Sequence, residues 1–243
     1  MVVLKKIWNF IINFIFPQQC CICKNYLSDN GQLCIKCAGK FDFISSPKCD
    51  LCGFPFEFEL KSSNKKLLCP KCLKKSYKFD KAISAVRYNE FSKRLILPLK
   101  HGDKTQYAKT IASIMSMFGR ELAQQSDFII PVPIHFTRML KRKYNQASLI
   151  ATHLSKIYKK PVLYTTLLRQ RATKSQGHLS IVERKKNISG AFFVKHIKKI
   201  KGKNILLIDD VFTTGATVNE CAKILKRNGA NKVFVLTFAR VIK

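Results

Sequence analysis

The chain has few acidic side chains. Its 243 residues include 14 Asp and Glu against 45 Lys and Arg, which gives a formal net charge of +31 at pH 7. A field of that sign favours polyanionic partners, such as nucleic acid, phosphorylated metabolites or an acidic membrane surface. Compositional drift explains the same excess, because most of it is lysine. The charge alone therefore names no partner, and both interpretations stay open.

The start of the chain lacks an apolar run long enough to cross a bilayer. Two asparagines interrupt the run, and no small-residue cleavage site of a signal peptide follows it. Trp8, Ile11, Ile12 and Ile15 fall on one helical face, which predicts an amphipathic leader helix over residues 1–18. We expect this helix to pack on the protein itself, and peripheral contact with the inner face of a membrane is the alternative.

The five histidines show no metal-ligand spacing, whereas nine of the ten cysteines lie between Cys20 and Cys72. Eight of these cysteines form four C-x-x-C pairs, a pattern typical of structural Zn2+ sites in a reducing compartment. Consecutive grouping predicts two sites, the first with Cys20, Cys23, Cys34 and Cys37 and the second with Cys49, Cys52, Cys69 and Cys72. Crossed grouping, disulfides and a redox pair are the competing interpretations.

Two further segments follow the leader helix. Residues 19–78 are predicted to form a small cysteine-rich double zinc-ribbon module that hardly folds without metal. Residues 79–243 alternate apolar runs with helical periodicity, which predicts an α/β fold with a parallel sheet flanked by helices. The predicted strands are 81–88, 127–133, 161–168, 204–210 and 232–239, and the predicted helices are 104–124, 144–158 and 216–228. The polar and basic residues 169–190 are predicted to form a long mobile loop.

The stretch ILLIDDVFTTGAT, residues 205–217, ends an apolar run on two adjacent carboxylates. The run does not alternate, as expected of a strand buried on both faces, and ligands bind past the carboxyl ends of such strands. The following turn of threonines and glycine aims amide and hydroxyl groups at a phosphate, with a helix start behind them. We therefore predict a ligand with a phosphate, a diol and Mg2+. An ordinary strand–turn–helix with capping residues is the alternative.

The same stretch resembles the phosphoribosyl-pyrophosphate motif of type I phosphoribosyltransferases. The resemblance implies that Asp209 and Asp210 hold the ribose hydroxyls and that the turn from Thr213 to Thr217 holds the 5′-phosphate. The implied ligand is 5-phosphoribosyl-1-pyrophosphate with Mg2+. The residues that would bind it are Asp209, Asp210, Val211, Phe212, Thr213, Thr214, Gly215, Ala216 and Thr217.

Three more segments resemble the ComF (competence protein F, GntX-like) family. The segment 99–103 reads LKHGD, and the segment 131–147 contains the family pattern R-x-x-x-R-x-[FY]-N-Q-A. That pattern is matched by Arg138, Arg142, Tyr144, Asn145, Gln146 and Ala147. The segment 168–192 matches a second pattern with Arg169, Arg171, Thr173, Gln176, Leu179, Arg184 and Asn187. Lys143 departs from the family, whose members often have glycine at this position.

The resemblance implies a phosphoribosyltransferase-type domain behind a double zinc ribbon. It assigns the chemistry to two acids and four arginines: Asp209, Asp210, Arg138, Arg142, Arg169 and Arg171. By analogy, Arg138 and Arg142 would meet pyrophosphate, and Arg169 and Arg171 would lie in a hood that closes over the site. Arginine suits this because its planar fork binds phosphate through two hydrogen bonds. Solvated surface charge is the alternative.

Three functions follow as hypotheses. The chain is an enzyme that transfers a phosphoribosyl group, a binding module that senses the ligand while it holds single-stranded DNA, or a docking protein for a DNA-translocation assembly. The resemblance implies work in the cytoplasm during uptake of single-stranded DNA in natural competence. Five phenylalanines of the cysteine region either stack bases or form its small core: Phe41, Phe43, Phe54, Phe56 and Phe58.

Overall fold

The computed structural model describes residues 17–27, 32–57, 66–74, 77–102, 104–171, 183 and 188–242. The predicted leader helix over residues 1–18 lies almost entirely outside this part of the chain. The helices are α1 Ile35–Ala38, α2 Pro70–Lys74, α3 Glu90–His101, α4 Tyr107–Gln124, α5 Phe136–Arg142, α6 Gln146–Tyr158, α7 Ile197–Ile200 and α8 Ala216–Arg227. The strands are β1 Lys81–Arg87, β2 Phe128–Pro131, β3 Leu167–Arg169, β4 Phe192–Val194, β5 Ile205–Phe212 and β6 Val233–Arg240.

A parallel sheet with the strand order β1-β6-β5-β2 carries the larger part of the chain. The predicted α/β fold with a parallel sheet is therefore confirmed. The first four residues of β5 are buried, as their unbroken apolar run predicts, and all eight residues of β6 are buried even though Thr237 and Arg240 are polar. The register pairs Asp209 of β5 with Thr237 of β6 and Ile208 of β5 with Pro131 of β2. The carboxyl ends of β2 and β5 therefore reach the same edge of the sheet.

Helices cover both faces of this sheet. On one face α4 packs closely on β6, since a Cβ added to Gly119 would lie 2.3 Å from Leu236 Cδ2. On the other face Leu207 and Val235 share an apolar cluster with Val218 and Leu225 of α8. Because side chains alternate along a strand, this arrangement buries both faces and leaves the carboxyl edge of the sheet for polar groups.

The predicted strand over residues 161–168 is wrong for most of its length. In the parallel sheet only Val162 bridges Ile129, and the chain then turns away through residues 164–166. The segment ends in β3, which pairs antiparallel with β4 in a separate two-stranded sheet. The apolar run signalled a strand correctly at its end, but the run carries no information about which sheet that strand joins.

Five of the described helices were not predicted from the sequence, namely the short α1, α2 and α7 and the longer α3 and α5. The helix α3 begins at a capping box in which Asn89 and Ser92 bond each other's backbone, and it continues through Pro98. A proline normally marks the end of a helix, so the sequence did not predict a helix over residues 90–101. The helix α5 lies between the predicted strand 127–133 and the predicted helix 144–158, where no helix was predicted. None of the described helices has both the length and the apolar character that crossing a bilayer requires.

The chain divides into two compact units between Phe41 and Asp42. The smaller unit holds α1 and the first cysteine set, and the larger unit holds the second cysteine set together with the parallel sheet. The division falls inside residues 19–78, the segment that the cysteine spacing marks as a double zinc ribbon. The two cysteine sets therefore have different structural settings.

Lys143 ends α5 in the left-handed backbone region, with φ 63°. This conformation costs a residue with a Cβ roughly 1 kcal/mol and costs glycine little. We expect Lys143→Gly to raise the melting temperature by about 2–4 °C, measured by thermal denaturation. Lys143→Ala is the control, because it removes the same side chain and retains the Cβ. An equal gain in both variants would contradict the backbone explanation.

Candidate phosphoribosyl site

The acid pair lies within β5, near its carboxyl end. Asp210 is buried and Asp209 is half-buried, and the backbone N–H of Asp210 donates to Asp209 Oδ1 at 2.9 Å. The ammonium group of Lys100, from α3, lies 2.8 Å from Asp210 Oδ2. The LKHGD segment therefore brings a cation directly to the second acid, and the sequence patterns did not assign that role to Lys100.

The pKa of Asp209 is raised to about 7, first by burial and then by the charge of Asp210. Lys100 and Arg169 oppose this increase through their positive charges. Near neutral pH this carboxyl group therefore carries a proton part of the time. A divalent cation at the same oxygens would favour the ionised form, as would hydroxyl donors.

The turn after β5 is tight at Gly215. Gly215 has φ 74°, and a Cβ at this position would lie 2.5 Å from Phe212 Cζ and 3.2 Å from Tyr77 Cε1. Only glycine fits there, both for its backbone conformation and for the space available. The amide of Ala216 donates to Thr214 Oγ1 at 3.4 Å, and α8 begins at Ala216. Within the turn Thr213, Thr214 and Thr217 are half-buried, as is Val211 before it.

The R-x-x-x-R-x-Y-N-Q-A segment follows β2 at the same edge of the sheet. The Tyr144 hydroxyl donates to Leu99 O at 2.8 Å, which ties the segment to the residue next to Lys100. The Asn145 amide donates to Val132 O at 3.0 Å just past β2. Arg142 is half-buried and donates to Gln146 Oε1 at 3.3 Å. Arg138 lies in α5, and its side chain is outside the described part of the structure.

The first two arginines of the second family pattern, Arg169 and Arg171, lie at the start of the segment 169–190 and make different contacts. Arg169 ends β3 and lies over the Phe192 ring at 5.3 Å, close enough to Asp209 to affect its pKa. Arg171 is exposed and donates to Ser189 O at 2.7 Å. The backbone N–H of Gly190 donates to Glu220 Oε1 of α8 at 3.1 Å. These contacts join the two described ends of the segment 169–190 to each other and to the helix that follows the turn.

The structure therefore gathers part of the predicted site. It brings Arg169 to the acid pair, together with Lys100, which was not predicted, and it joins Arg171 to Ser189. Five further residues of the second pattern lie outside the described residues: Thr173, Gln176, Leu179, Arg184 and Asn187.

The eight paired cysteines form two groups of four, and within each group the sulfur atoms lie within 4.8 Å of one another. The grouping is consecutive, as predicted: Cys20, Cys23, Cys34 and Cys37, then Cys49, Cys52, Cys69 and Cys72. The Cys23–Cys34 and Cys52–Cys69 sulfur distances are both 3.7 Å. Two sulfurs bound to one Zn2+ in a tetrahedron lie roughly 3.8 Å apart, so the groups have the dimensions of Zn2+ sites.

Four thiols at this spacing also favour a cation on electrostatic grounds. Burial raises the pKa of Cys37 and that of Cys72 to about 12 each, so neither thiol ionises alone at neutral pH. A divalent cation replaces the protons and compensates the thiolate charges. The protein supplies all four ligands in each group, which is typical of structural sites.

The phenylalanines of the cysteine region are largely engaged in packing. Phe43 stacks on Phe118 of α4, with ring centroids 5.6 Å apart, and Phe54 contacts Phe56 edge to face at 6.3 Å. Phe41 is buried. Phe58 lies outside the described residues. These contacts favour the interpretation of a small core over that of a base-stacking platform.

Comparisons with known protein families agree with this geometry. Residues 11–73 match the double zinc ribbon domain, and residues 110–242 match the phosphoribosyl transferase domain. The second match covers more than half of the chain. The chain is thus a phosphoribosyltransferase-type α/β protein that carries a double zinc ribbon.

Relatives over nearly the full length make the class more specific. The chain is 30% identical to competence protein F of Haemophilus influenzae, over 95% of this chain and 100% of the relative. It is 28% identical to the DNA utilization protein YhgH of Escherichia coli, over 93% and 98%. It is 25% identical to competence protein ComFC of Bacillus subtilis, over 84% and 81%. The chain belongs to the competence protein F family.

Solved structures with a similar arrangement include two phosphoribosyltransferases. The orotate enzyme from Aeropyrum pernix is 19% identical, with a TM-score of 0.37 over 65% of this chain and 80% of that chain. The adenine enzyme from Saccharomyces cerevisiae is 13% identical, with a TM-score of 0.38 over 63% and 76%.

The raised pKa of Asp209 predicts a pH-dependent stability. An acid whose folded-state pKa lies above its ordinary value destabilises the fold as pH rises from about 4 to about 7. We expect Asp209→Asn to raise the melting temperature, and to raise it by about 5 °C more at pH 8 than at pH 5. Thermal denaturation without Mg2+ or ligand measures the difference. Glu57→Gln, at a carboxylate that is 84% exposed, is the control and should show no such trend. A gain that is equal at both pH values would refute this explanation.

Proposed function

We propose that the chain binds 5-phosphoribosyl-1-pyrophosphate together with Mg2+ at the carboxyl edge of its parallel sheet. The observation that carries this proposal is the arrangement of an acid pair directly before a glycine turn. Asp209 and Asp210 end the buried run, Lys100 lies 2.8 Å from Asp210, and Gly215 leaves room for no side chain. A sugar phosphate needs these features together, because its hydroxyls seek carboxylates and its phosphate seeks backbone amides.

Each group has a distinct task in this proposal. The carboxylates of Asp209 and Asp210 accept hydrogen bonds from the ribose hydroxyls and provide oxygen ligands of the kind that Mg2+ prefers. Held by these two acids, Mg2+ would supply positive charge that neutralises the pyrophosphate. The turn from Thr213 to Thr217 donates to the 5′-phosphate, as helix starts commonly do.

The basic residues would neutralise the rest of the ligand. Arg138 and Arg142 follow β2 at the same edge of the sheet and would contact pyrophosphate. Arg169 lies close enough to Asp209 for its charge to lower the pKa of that acid. Lys100 partly compensates the negative charge of the acid pair through its contact with Asp210. Transfer from such a ligand depends on electrostatic stabilisation as pyrophosphate leaves, so no side-chain nucleophile is required.

We further propose that the chain acts on the cytoplasmic side in the handling of single-stranded DNA during natural competence. The names of the relatives, competence protein F and DNA utilization protein, support this role. The net charge of +31 gives a physical reason for affinity to DNA. The clustered thiols are of a kind that persists in reducing compartments. A non-catalytic adaptor that uses the phosphoribosyl site as a sensor is the second candidate, since the eight cysteines form modules that are frequent in adaptors.

Calorimetric titration with 5-phosphoribosyl-1-pyrophosphate and Mg2+ tests the ligand. We expect Asp209→Asn/Asp210→Asn to weaken binding roughly a hundredfold, because two charge-assisted contacts are lost. Asp127→Asn is the matched control. This acid accepts a hydrogen bond from the backbone N–H of Asn204 at 2.8 Å, at the opposite end of β5. Its substitution should leave the affinity unchanged. If the double variant binds the ligand as tightly as the wild type, the site assignment is wrong. If the wild type does not bind the ligand, the ligand assignment is wrong.

Turnover is measured on the same proteins. Release of pyrophosphate in the presence of a panel of free bases and amines identifies a transferase. Binding without release under every condition identifies a sensor.

Affinity for single-stranded DNA should depend steeply on salt if the basic surface drives it. With about five phosphates neutralised, we expect affinity to fall roughly a hundredfold between 50 mM and 200 mM salt. Fluorescence anisotropy with a labelled oligonucleotide measures the slope. The Asp209→Asn/Asp210→Asn variant is the control and should bind DNA no more weakly than the wild type. An affinity that does not change with salt would rule out the electrostatic explanation.

A further inference from the structure

The second cysteine set lies in the core that supports the turn from Thr213 to Thr217, called the phosphoribosyl turn below. Its four cysteines are all buried, and they share one apolar cluster with Phe79, Phe212 and the inner face of α8. The amide of Ala82 in β1 donates to Leu51 O at 2.8 Å, within the first C-x-x-C pair of this set. A Cβ on Gly53 would lie 2.6 Å from Ala82 O. The set therefore packs directly on the strand.

Arg240 connects this cysteine set with Phe212, just before the turn. It is the last residue of β6 and is only 3% exposed. Its guanidinium donates to Cys52 O at 2.6 Å and to Cys52 Sγ at 3.4 Å, and it lies over the Phe212 ring at 4.4 Å. Among the described ion pairs, none joins Arg240 to a carboxylate. A buried guanidinium needs an anionic partner, and four thiolates around one divalent cation retain a net negative charge.

Tyr77 makes a second connection. Its hydroxyl donates to Thr214 O, in the turn, at 3.2 Å. Its ring stacks on Phe79 at 4.7 Å, and Phe79 contacts Phe212 edge to face at 6.1 Å. The neighbouring amide of Lys78 donates to Asn219 Oδ1 of α8 at 2.6 Å. Residues 77–79, after α2, thus contact both the turn and the helix α8 that follows it.

We propose that the metal-bound second cysteine set positions the phosphoribosyl turn through Arg240 and Tyr77. Ligand affinity then depends on the metal at Cys49–Cys72 and is independent of the metal at Cys20–Cys37. The physical reason is that the metal fixes Cys52, whose carbonyl oxygen and sulfur hold the Arg240 guanidinium over the Phe212 ring, and Phe212 fills the space beside Gly215. Arg240 and Tyr77 are positioning residues in this scheme. Only the statement on affinity rests on the proposed ligand.

Cysteine variants of the full chain separate the two metal sites. Cys72→Ser and Cys23→Ser should each lower the bound zinc, measured by elemental analysis. We expect Cys72→Ser to weaken binding of 5-phosphoribosyl-1-pyrophosphate with Mg2+ by about tenfold or more, and Cys23→Ser to change it by less than about twofold. Equal effects of the two substitutions would overturn the proposal.

Positioning variants keep the test valid if Cys72→Ser does not fold. Tyr77→Phe removes one hydroxyl and should retain all zinc, while it weakens ligand binding roughly fivefold. Arg240→Met should weaken binding more strongly, and Arg240→Lys should restore part of the loss because it returns the charge. Unchanged affinity in both Tyr77→Phe and Arg240→Met would overturn the proposal.

Amide hydrogen exchange supplies a readout that needs no ligand. We expect residues 212–219 to exchange faster in Tyr77→Phe and in Cys72→Ser than in the wild type, and at the wild-type rate in Cys23→Ser. If the wild type does not bind the ligand, the proposed function fails, and the exchange pattern still decides the link between metal and turn. Wild-type exchange of residues 212–219 in Tyr77→Phe and Cys72→Ser would refute that link.

Discussion

Two neighbouring carboxylates within one buried strand impose the constraint on which the site depends. Asp209 and Asp210 repel each other, and burial makes the ionised form of Asp209 still less favourable. Two cations from separate parts of the chain compensate this repulsion. Lys100 lies close to the pair from α3, and Arg169 lies close to it from β3. A bound ligand with hydroxyls and a divalent cation would satisfy the same oxygens, which explains why this arrangement suits a sugar phosphate.

The second constraint is the space at Gly215, after the acid pair. Phe212 and Tyr77 occupy the space into which a Cβ would point, so the turn accepts only glycine at this position. Those two rings belong to the core that also contains the buried second cysteine set. The second cysteine set, although it belongs to a separate module in the sequence, therefore forms part of the core beneath the turn. The first cysteine set lies in a separate compact unit and has an exposed ligand, Cys23.

Predictions from the sequence succeeded where residues close together in the chain carry the pattern. The apolar runs 205–208 and 233–236 predicted the central strands, and the consecutive grouping of the cysteines, chosen over the crossed grouping, is the one observed. They failed where the outcome depends on distant partners. Residues 161–168 were predicted to join the parallel sheet, and the strand at their end pairs instead with β4. The helix α3 was missed because Pro98 lies within it.

The sequence by itself determined the class of the protein, the four C-x-x-C pairs and the acid pair, because each is encoded by residues close together in the chain. Only the tertiary structure decided how the cysteine pairs combine and which cation meets which acid. The contacts of Lys100 with Asp210, of Arg240 with Cys52 and of Tyr77 with Thr214 join residues that are more than a hundred positions apart. No local periodicity records such contacts, since they arise only when the packing of sheet, helices and cysteine module brings those side chains together.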